Sequence, residues 1–456
     1  MKHHEVVRVH EAGLRILERT GVVYQDDEAV ELLRARGCRV EGNRVWLPPR
    51  VVEAAVEATP QSFVLRGRTP GRDLVFGAGM VVAASTGAAF VVEGTNVRAG
   101  TLADLQTGLR LMHGTHNVDV VGVMIEPRDV PEERRYRTAL YHCFTMTDKP
   151  VLCTSARRRE LQAGLDTAAI LWGGDWHEEL RLLTVVNSLS PLQFDAGTCG
   201  AILSFARLRQ PLCVTPCVMG GSTGPATMAG ILALQHAEAL AGLTLSQAAN
   251  EGAPFIYGGT SSITSMATGD LLMGVSQYWT LMTATVEIAR YLRVPCRAGG
   301  GITDSHVPDM QAGIETAMGL GTVAHAGVHF VMHGTGVLSA FNAVSFEKFI
   351  IDDELVGMIR ARNLPVEVDD DTLALDTIDA VGPGGNYLLE PHTLAHCRDY
   401  EHPTFFNRRR HDVWVSRGGT DLAGAARRHM QTVVDSWEAP VMDSIVRRQL
   451  AAYCLG

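Results

Sequence analysis

GGGITDSHVPDMQAGIE, residues 299–315, follows an apolar segment at 292–296 and runs into a helical pattern. An apolar run, a glycine turn, clustered polar residues and then a helix is how a site is built at the end of a strand. Gly299, Gly300 and Gly301 let the backbone turn sharply and approach a ligand with no side chain in the way. Thr303, Asp304, Ser305, His306, Asp309 and Gln311 then place six polar groups within nine residues. An ordinary connector needs fewer, although a capped turn before a helix accounts for Asp304 and Ser305 without any function.

Outward from this stretch, apolar strand-like runs alternate with helical patterns from Thr101 onward. The runs are 118–124, 150–154, 182–187, 211–217, 254–257, 294–297 and 329–333. Short, evenly spaced and apolar throughout, seven or eight such units over roughly 300 residues fit a closed (β/α)8 TIM barrel better than an open sheet. The eighth strand is poorly marked. In a barrel the site lies at the carboxyl ends of the strands, so 219–223, 258–262, 299–306 and 333–336 become the candidate segments.

Around this catalytic barrel, placed at 101–420, the chain divides further. Helical spacing at 6–19 and 27–36, and Pro48 and Pro49 opening a third helix, predict a helical N-terminal cap over 1–60. Period-two runs (FVLRGR, DLVFG, MVVAAS, AFVVEG, NVRAG) predict a small antiparallel β layer over 61–100. The tail over 376–398 resembles a lid or clamp with a GPGG turn at 382–385, and a C-terminal helix is expected within 421–456.

With 456 residues, 40 Lys and Arg against 50 Asp and Glu, the net charge is −10. A nucleic-acid surface is not expected, because nothing would offset loss of the phosphate counterions. The basic runs 157–159 and 408–410 read as solvated faces, or as a docking point for a partner protein. Nine cysteines scattered singly, behind an amphipathic start (MKHHEVVRVHEAG) instead of a cleavable leader, predict a reducing, cytoplasmic setting. No run reaches about 18 uninterrupted apolar residues, so no membrane span is expected.

Some motifs point elsewhere. Gly220-Gly221-Ser222-Thr223-Gly224 satisfies G-x-S-x-G between a strand and a helix, the context of a hydrolase nucleophile at Ser222. Such a loop is also the usual filling of a barrel turn, and nothing picks the partner His and Asp. His325, His329 and His333 recur every four residues, but HFVMHG reads as a strand, where His329 and His333 would stand roughly 13 Å apart, too far to share an ion. No metal is expected there, and Cys213 and Cys217 read as small core residues. No P-loop or G-x-G-x-x-G opens a βαβ unit, so nucleotide binding is unsupported.

Four strings resemble one family: MGGSTGPATMAGILALQHAEALAGLTLSQ (219–247), FIYGGTSSITSMATGDLLMG (255–274), AGGGITDSHVPDMQAGIE (298–315) and VGPGGNYLLEPHTLAH (381–396). They are similar to the trimethylamine methyltransferase family of corrinoid-dependent methyltransferases, over nearly the whole chain. The resemblance implies a (β/α)8 barrel that takes a methyl group from a methylated amine and passes it to the Co(I) form of cobalamin carried by a separate small corrinoid-binding protein. It also implies a homo-oligomer. Founding members carry pyrrolysine at the position that falls on His306 here. This chain has none, which resembles members acting on glycine betaine or a related quaternary amine.

A quaternary ammonium is already activated, because its nitrogen leaves as a neutral amine. No protein nucleophile or obligatory acid is then needed, and the protein contributes placement and exclusion of water. Aromatic faces suit such a cation, at about 0.5 to 2 kcal/mol each. Tyr257, Tyr278, Trp279, Phe330 and Phe341 lie near predicted strand ends. Donors for a carboxylate would be His306, His333, Gln311 or the amides of 334–336, while Asp304 or Asp309 balances the ammonium or caps the helix. The expected sets are therefore His306, Asp304 and Gln311 as catalytic residues, and Tyr257, Phe330, His333, Phe341 and Ser222 at the substrate. Gly300, Gly301 and Gly334 are expected at the cofactor. A catalytically silent betaine-binding protein and the Ser222 hydrolase are the alternatives.

Overall fold

The computed structural model describes residues 1–154, 157–399 and 404–456. Its centre is one eight-stranded parallel sheet. In chain order the strands are β1 Val81–Val82, β2 Val121–Gly122, β3 Val151–Thr154, β4 Leu182–Val186, β5 Leu212–Val214, β6 Phe255–Gly258, β7 Cys296–Gly299 and β8 Phe330–Met332. Their spatial order is β1-β8-β7-β6-β5-β4-β3-β2. The sheet curls until its outer strands meet at one parallel bridge, Ala83 to Val120, where Val82 O accepts from Asp119 N (2.8 Å) and Val120 N (3.1 Å).

All seven runs read from the sequence fall on strands β2 to β8. The eighth strand, β1, is the MVVAAS segment expected in an antiparallel layer, and it pairs in parallel with β8. The rest of 61–100 is two separate hairpins, Phe63–Leu65 with Leu74–Phe76 and Phe90–Glu93 with Asn96–Ala99. The first hairpin closes the amino end of the sheet. There Phe76 stacks on Phe63 (5.0 Å between centroids) and meets Phe330 edge-on (5.5 Å). Its residues join Val81, Leu152, Leu183, Cys213, Ile256 and Met332 in the cluster enclosed by the strands.

Helices α1 His3–Arg19 and α2 Pro49–Ala58 lie against α3 Met228–Ala249. By length and composition α3 could cross a membrane, yet every residue from 231 to 247 is buried inside the fold. Most of its polar side chains find partners there, Ser246 Oγ being an exception. His236 bridges Tyr257 Oη (2.8 Å) and His10 Nδ1 (2.9 Å), and His10 Nε2 reaches Glu53 Oε1 (3.0 Å).

Three helices flank the candidate site: α4 Ser276–Leu292, α5 Met310–Ala326 and α6 Phe346–Arg362. Beyond α6, from residue 363 to 399, no side chain is buried. The last segment, expected as one helix, is two, Leu422–Asp435 and Ser444–Leu455. Pro440 falls in the gap, where its ring and missing N–H stop a helix from continuing.

Candidate active site

The site begins with a charge where none is expected. Arg297, the second residue of β7, projects among the enclosed side chains: a Cβ placed on Gly258 would lie 3.0 Å from Cys213 Sγ and 3.4 Å from Arg297 Cβ. Arg297 is 2% exposed. Its Nη1 donates to Gly259 O (2.7 Å), its Nε has no protein partner, and it forms no ion pair among the described residues. A buried cation without a counter-charge is costly, which makes Arg297 a candidate anchor for an anionic ligand.

At the end of the neighbouring strand, His333 adopts a left-handed backbone (φ 58°) and stacks its ring on Phe341 (5.6 Å, 28°). Its Nδ1 is buried without a protein partner. Burial, and secondarily the Arg297 guanidinium, hold its pKa down to about 3, so the imidazole is neutral at ordinary pH. Ser85 Oγ and Thr335 Oγ1 are likewise buried and unpartnered, on segments joined by a bond from Ser85 N to Thr335 O (3.3 Å). Native interiors leave few such groups, so four on three adjacent strands and the loops that follow them (Ser85 Oγ, Arg297 Nε, His333 Nδ1, Thr335 Oγ1) make this a candidate place for a polar ligand.

Two loops hold this geometry. The loop 333–336 is fixed by bonds from Gly334 N to Ala83 O (2.8 Å), Gly301 N to His333 O (3.0 Å) and Gly336 N to Asp352 Oδ2 (2.8 Å). Asp352 is in turn paired with Lys348 Nζ (2.6 Å) in the interior. Ser339, Ala340 and Phe341 are all left-handed (φ 52°, 48° and 70°), strain that costs on the order of 1–3 kcal/mol per residue and concentrates at functional sites. It is held by Ser339 N to Ser305 O (2.8 Å) and Ala340 N to Thr303 O (2.9 Å), which stitch this loop to the 303–306 turn. His306 is exposed on that turn, with Nδ1 2.8 Å from Ser339 Oγ.

Several expected site residues make contacts within the scaffold. The Asp304 carboxylate accepts from Met273 N (2.9 Å) and Gly274 N (2.9 Å), pinning the turn to the preceding loop. Gln311 is exposed and donates to Glu315 Oε1 (2.9 Å), while Glu315 Oε2 receives Thr303 Oγ1 (2.6 Å) and Asp304 N (2.9 Å). Asp309 caps α5 through Ala312 N (3.0 Å). Tyr257 points away from the enclosed space, toward His236 on α3, and Phe330 belongs to the apolar floor with Phe76.

Ser222 is exposed in a turn closed by its own N–H to Met219 O (2.9 Å); the left-handed residue is Gly221, and no His pairs with Ser222 among the described residues, so the geometry of a nucleophile elbow is missing. The three expected cofactor glycines are buried and admit neighbouring protein atoms. Added Cβ atoms would lie 2.7 Å from Leu320 Cδ2 at Gly300, 2.3 Å from Gly334 O at Gly301 and 2.6 Å from Val82 Cγ1 at Gly334. Of the expected set, His333 and Phe341 come together and His306 stands beside them at the rim.

Sequence reading passed over Arg297, Ser85 and Thr335. One signal was available: Arg297 is the only charged residue in 294–302, VPCRAGGGI. A cleft of about 370 Å3 opens at the same carboxyl end, lined by Thr86 and Gly87 after β1, Val123 after β2, and Glu126, Arg135 and Tyr136.

Curled parallel strands with a polar site at their carboxyl ends define the α/β class in which catalytic groups sit on the loops above a packed core. The chain belongs to the trimethylamine methyltransferase (MTTB) family, whose profile matches residues 1–455. It is 35% identical to the glycine betaine methyltransferase of Desulfitobacterium hafniense (strain Y51), over 98% of this chain and 95% of that protein. It is 28% identical to the proline betaine:corrinoid methyltransferase of Eubacterium limosum, over 89% and 86%. The crystal structure of the Methanosarcina barkeri monomethylamine methyltransferase aligns with a TM-score of 0.51 at 12% identity, covering 96% of this chain and 93% of that one, a likeness of fold.

Proposed function

We propose that this chain is a methyltransferase that takes a methyl group from a betaine, glycine betaine or a close relative, and delivers it to a corrinoid held by a separate small protein. The observation that carries this reading is the buried, unpaired Arg297 guanidinium beside a neutral His333 stacked on Phe341. A betaine joins a carboxylate to a quaternary ammonium. Arg297 offers the carboxylate a charge-assisted donor in low dielectric, and a planar fork suited to it. The stacked rings offer the ammonium π faces and add no positive charge of their own.

The chemistry asks little else of the protein. The substrate nitrogen leaves as a neutral amine, so neither a protein nucleophile nor a proton donor is required. Arg297 fixes one end of the substrate, which aims an N-methyl outward toward the rim. Orientation of this kind contributes several kcal/mol to a transfer step. The strained 339–341 loop and the 303–306 turn wall the site against water. The corrinoid, when its carrier docks at the rim, supplies the metal nucleophile that accepts the methyl. The cleft at Thr86, Gly87 and Val123 and the exposed His306 lie at the end a carrier would have to approach. In this reading the curled sheet works as a (β/α)8 barrel with its seam at Ala83 and Val120, beneath a cap formed by residues 1–60.

The test mixes the protein with a reduced corrinoid protein and a panel of amines, and follows the absorbance of the reduced corrinoid. Glycine betaine should be consumed and trimethylamine should not; the reverse outcome would sink the substrate assignment. Arg297→Lys should keep the charge but lose the fork, raising KM for glycine betaine by about tenfold or more, and Arg297→Leu by about a hundredfold. Choline, which lacks the carboxylate, should be indifferent to both changes. If glycine betaine and choline lost activity equally, Arg297 would be structural.

A further inference from the structure

The segment 364–399 lacks what normally holds a fold together. Its helices α7 Asp370–Leu373, α8 Leu375–Val381 and α9 Pro391–His396 are four, seven and six residues long, and none buries a side chain. Leu364, Val366, Leu375, Leu389 and Leu394 are instead exposed. Helices this short do not persist in water on their own, and segments that cannot build a core usually rely on a disulfide or a metal. Cys397 is the segment's single cysteine, free and exposed, so a disulfide within it is ruled out.

What joins α7 to α9 is polar. His392 and His396 stand one turn apart on the same face of α9, with ring centroids 4.4 Å apart. Asp371 on α7 faces them: its Oδ2 lies 3.3 Å from His396 Nε2 and its carbonyl oxygen 3.0 Å from His392 Nε2. One ligand atom from each of the three residues can be chosen so that all lie within 4.8 Å of one another. On its far side His396 directs Nδ1 at Asp399 Oδ2 (2.8 Å), the outer carboxylate that orients a ligating imidazole and raises its basicity.

We propose that Asp371, His392 and His396 form a site for a divalent first-row cation, with Zn2+ the best match, that clips α7 to α9 and so orders the 364–399 segment. Two imidazoles, one carboxylate and a fourth position for water or a further donor make a tetrahedral zinc environment, and the H-x-x-x-H spacing on a helix is its usual source. The site lies outside the methyl-transfer machinery and stands independently of that assignment. Binding requires the imidazoles to be deprotonated, so each zinc ion taken up releases the proton that either histidine carries.

The test uses the full chain, stripped with a chelator and titrated with Zn2+ by calorimetry, with bound metal counted after dialysis. Wild type should gain one equivalent that the His392→Ala/His396→Ala double variant lacks; His3 and His4 are intact in both, so any zinc they hold cancels. Asp399→Asn should weaken that equivalent by about tenfold. Zinc should also slow protease cleavage within 364–399 in wild type and not in the double variant. Equal zinc content in the two proteins would overturn the site, and zinc bound without protection would overturn the clip. Because the variant removes only side chains that are not buried, an unchanged thermal melt is expected and reports that the core is intact.

Discussion

At His333 the same burial that keeps the imidazole neutral makes it sensitive to acid. Its pKa is about 3 in the folded chain and near the ordinary 6.5 when unfolded. Between those values the unfolded chain binds a proton that the native site refuses, so this contribution to stability is whole above pH 6.5 and declines as the pH falls toward 3. His333→Asn, which tolerates the left-handed backbone, should remove that decline. Denaturant melts of both proteins at pH 7.5 and 4.5 should show wild type losing about 2–3 kcal/mol more than the variant over that interval. Equal losses would mean that the ring is hydrated in solution. At this scale the sequence exposed half of the proposed site. His333 and Phe341 were readable as residues at a strand end; Ser85 and Thr335 were not, because a hydroxyl becomes informative only when its hydrogen-bond partners are seen to be missing.

Elements were easier to find than to orient. Seven strands announce themselves as apolar runs because a parallel sheet is covered on both faces, and that same property erases the alternation that would tell inside from outside. Tyr257 illustrates the loss: it pairs in register with Cys296, the neighbour of Arg297, and therefore sits on the opposite face from the guanidinium. Strand β1 stayed hidden for another reason. Two residues of ladder between two hairpins carry too little pattern to separate from them. Tyr257 is the inner end of the Tyr257–His236–His10–Glu53 tie that fastens α1 and α2 to α3, which argues for a structural role. Tyr257→Phe removes one buried hydrogen bond and leaves His236 Nδ1 unsatisfied, which should cost about 1–3 kcal/mol in a denaturant melt. KM and kcat for the betaine should stay within about twofold, whereas a cage role for the ring, which phenylalanine largely preserves, is separated by Tyr257→Leu. If Tyr257→Leu raised KM tenfold at a temperature where it remained folded, the ring would belong at the substrate after all.

On the scale of the whole molecule, the proposed methyl transfer would need two proteins to meet at one end of the sheet, and the surface there is uneven in a useful way. Met266, on the loop after β6, and Met310, at the start of α5 after β7, are 78% and 80% exposed. Both follow strands at the carboxyl end, with Met310 four residues beyond His306. Soft, adaptable methionine side chains suit a surface that must grip a partner and release it each turnover. Neither packs into the core, so neither is expected to hold the fold. Met266→Glu/Met310→Glu should therefore leave the melting temperature and the calorimetric affinity for glycine betaine unchanged, while raising the KM for the corrinoid protein by about tenfold, because two desolvated carboxylates oppose close contact. Substrate affinity separates the two possible causes of lost turnover. A variant that binds betaine normally but transfers slowly at low carrier concentration, and recovers at high carrier concentration, has lost docking. If the double variant matched wild type at every carrier concentration, the carrier would have to approach over a different part of the rim, and the cleft beside Glu126 and Arg135 would be the next surface to change.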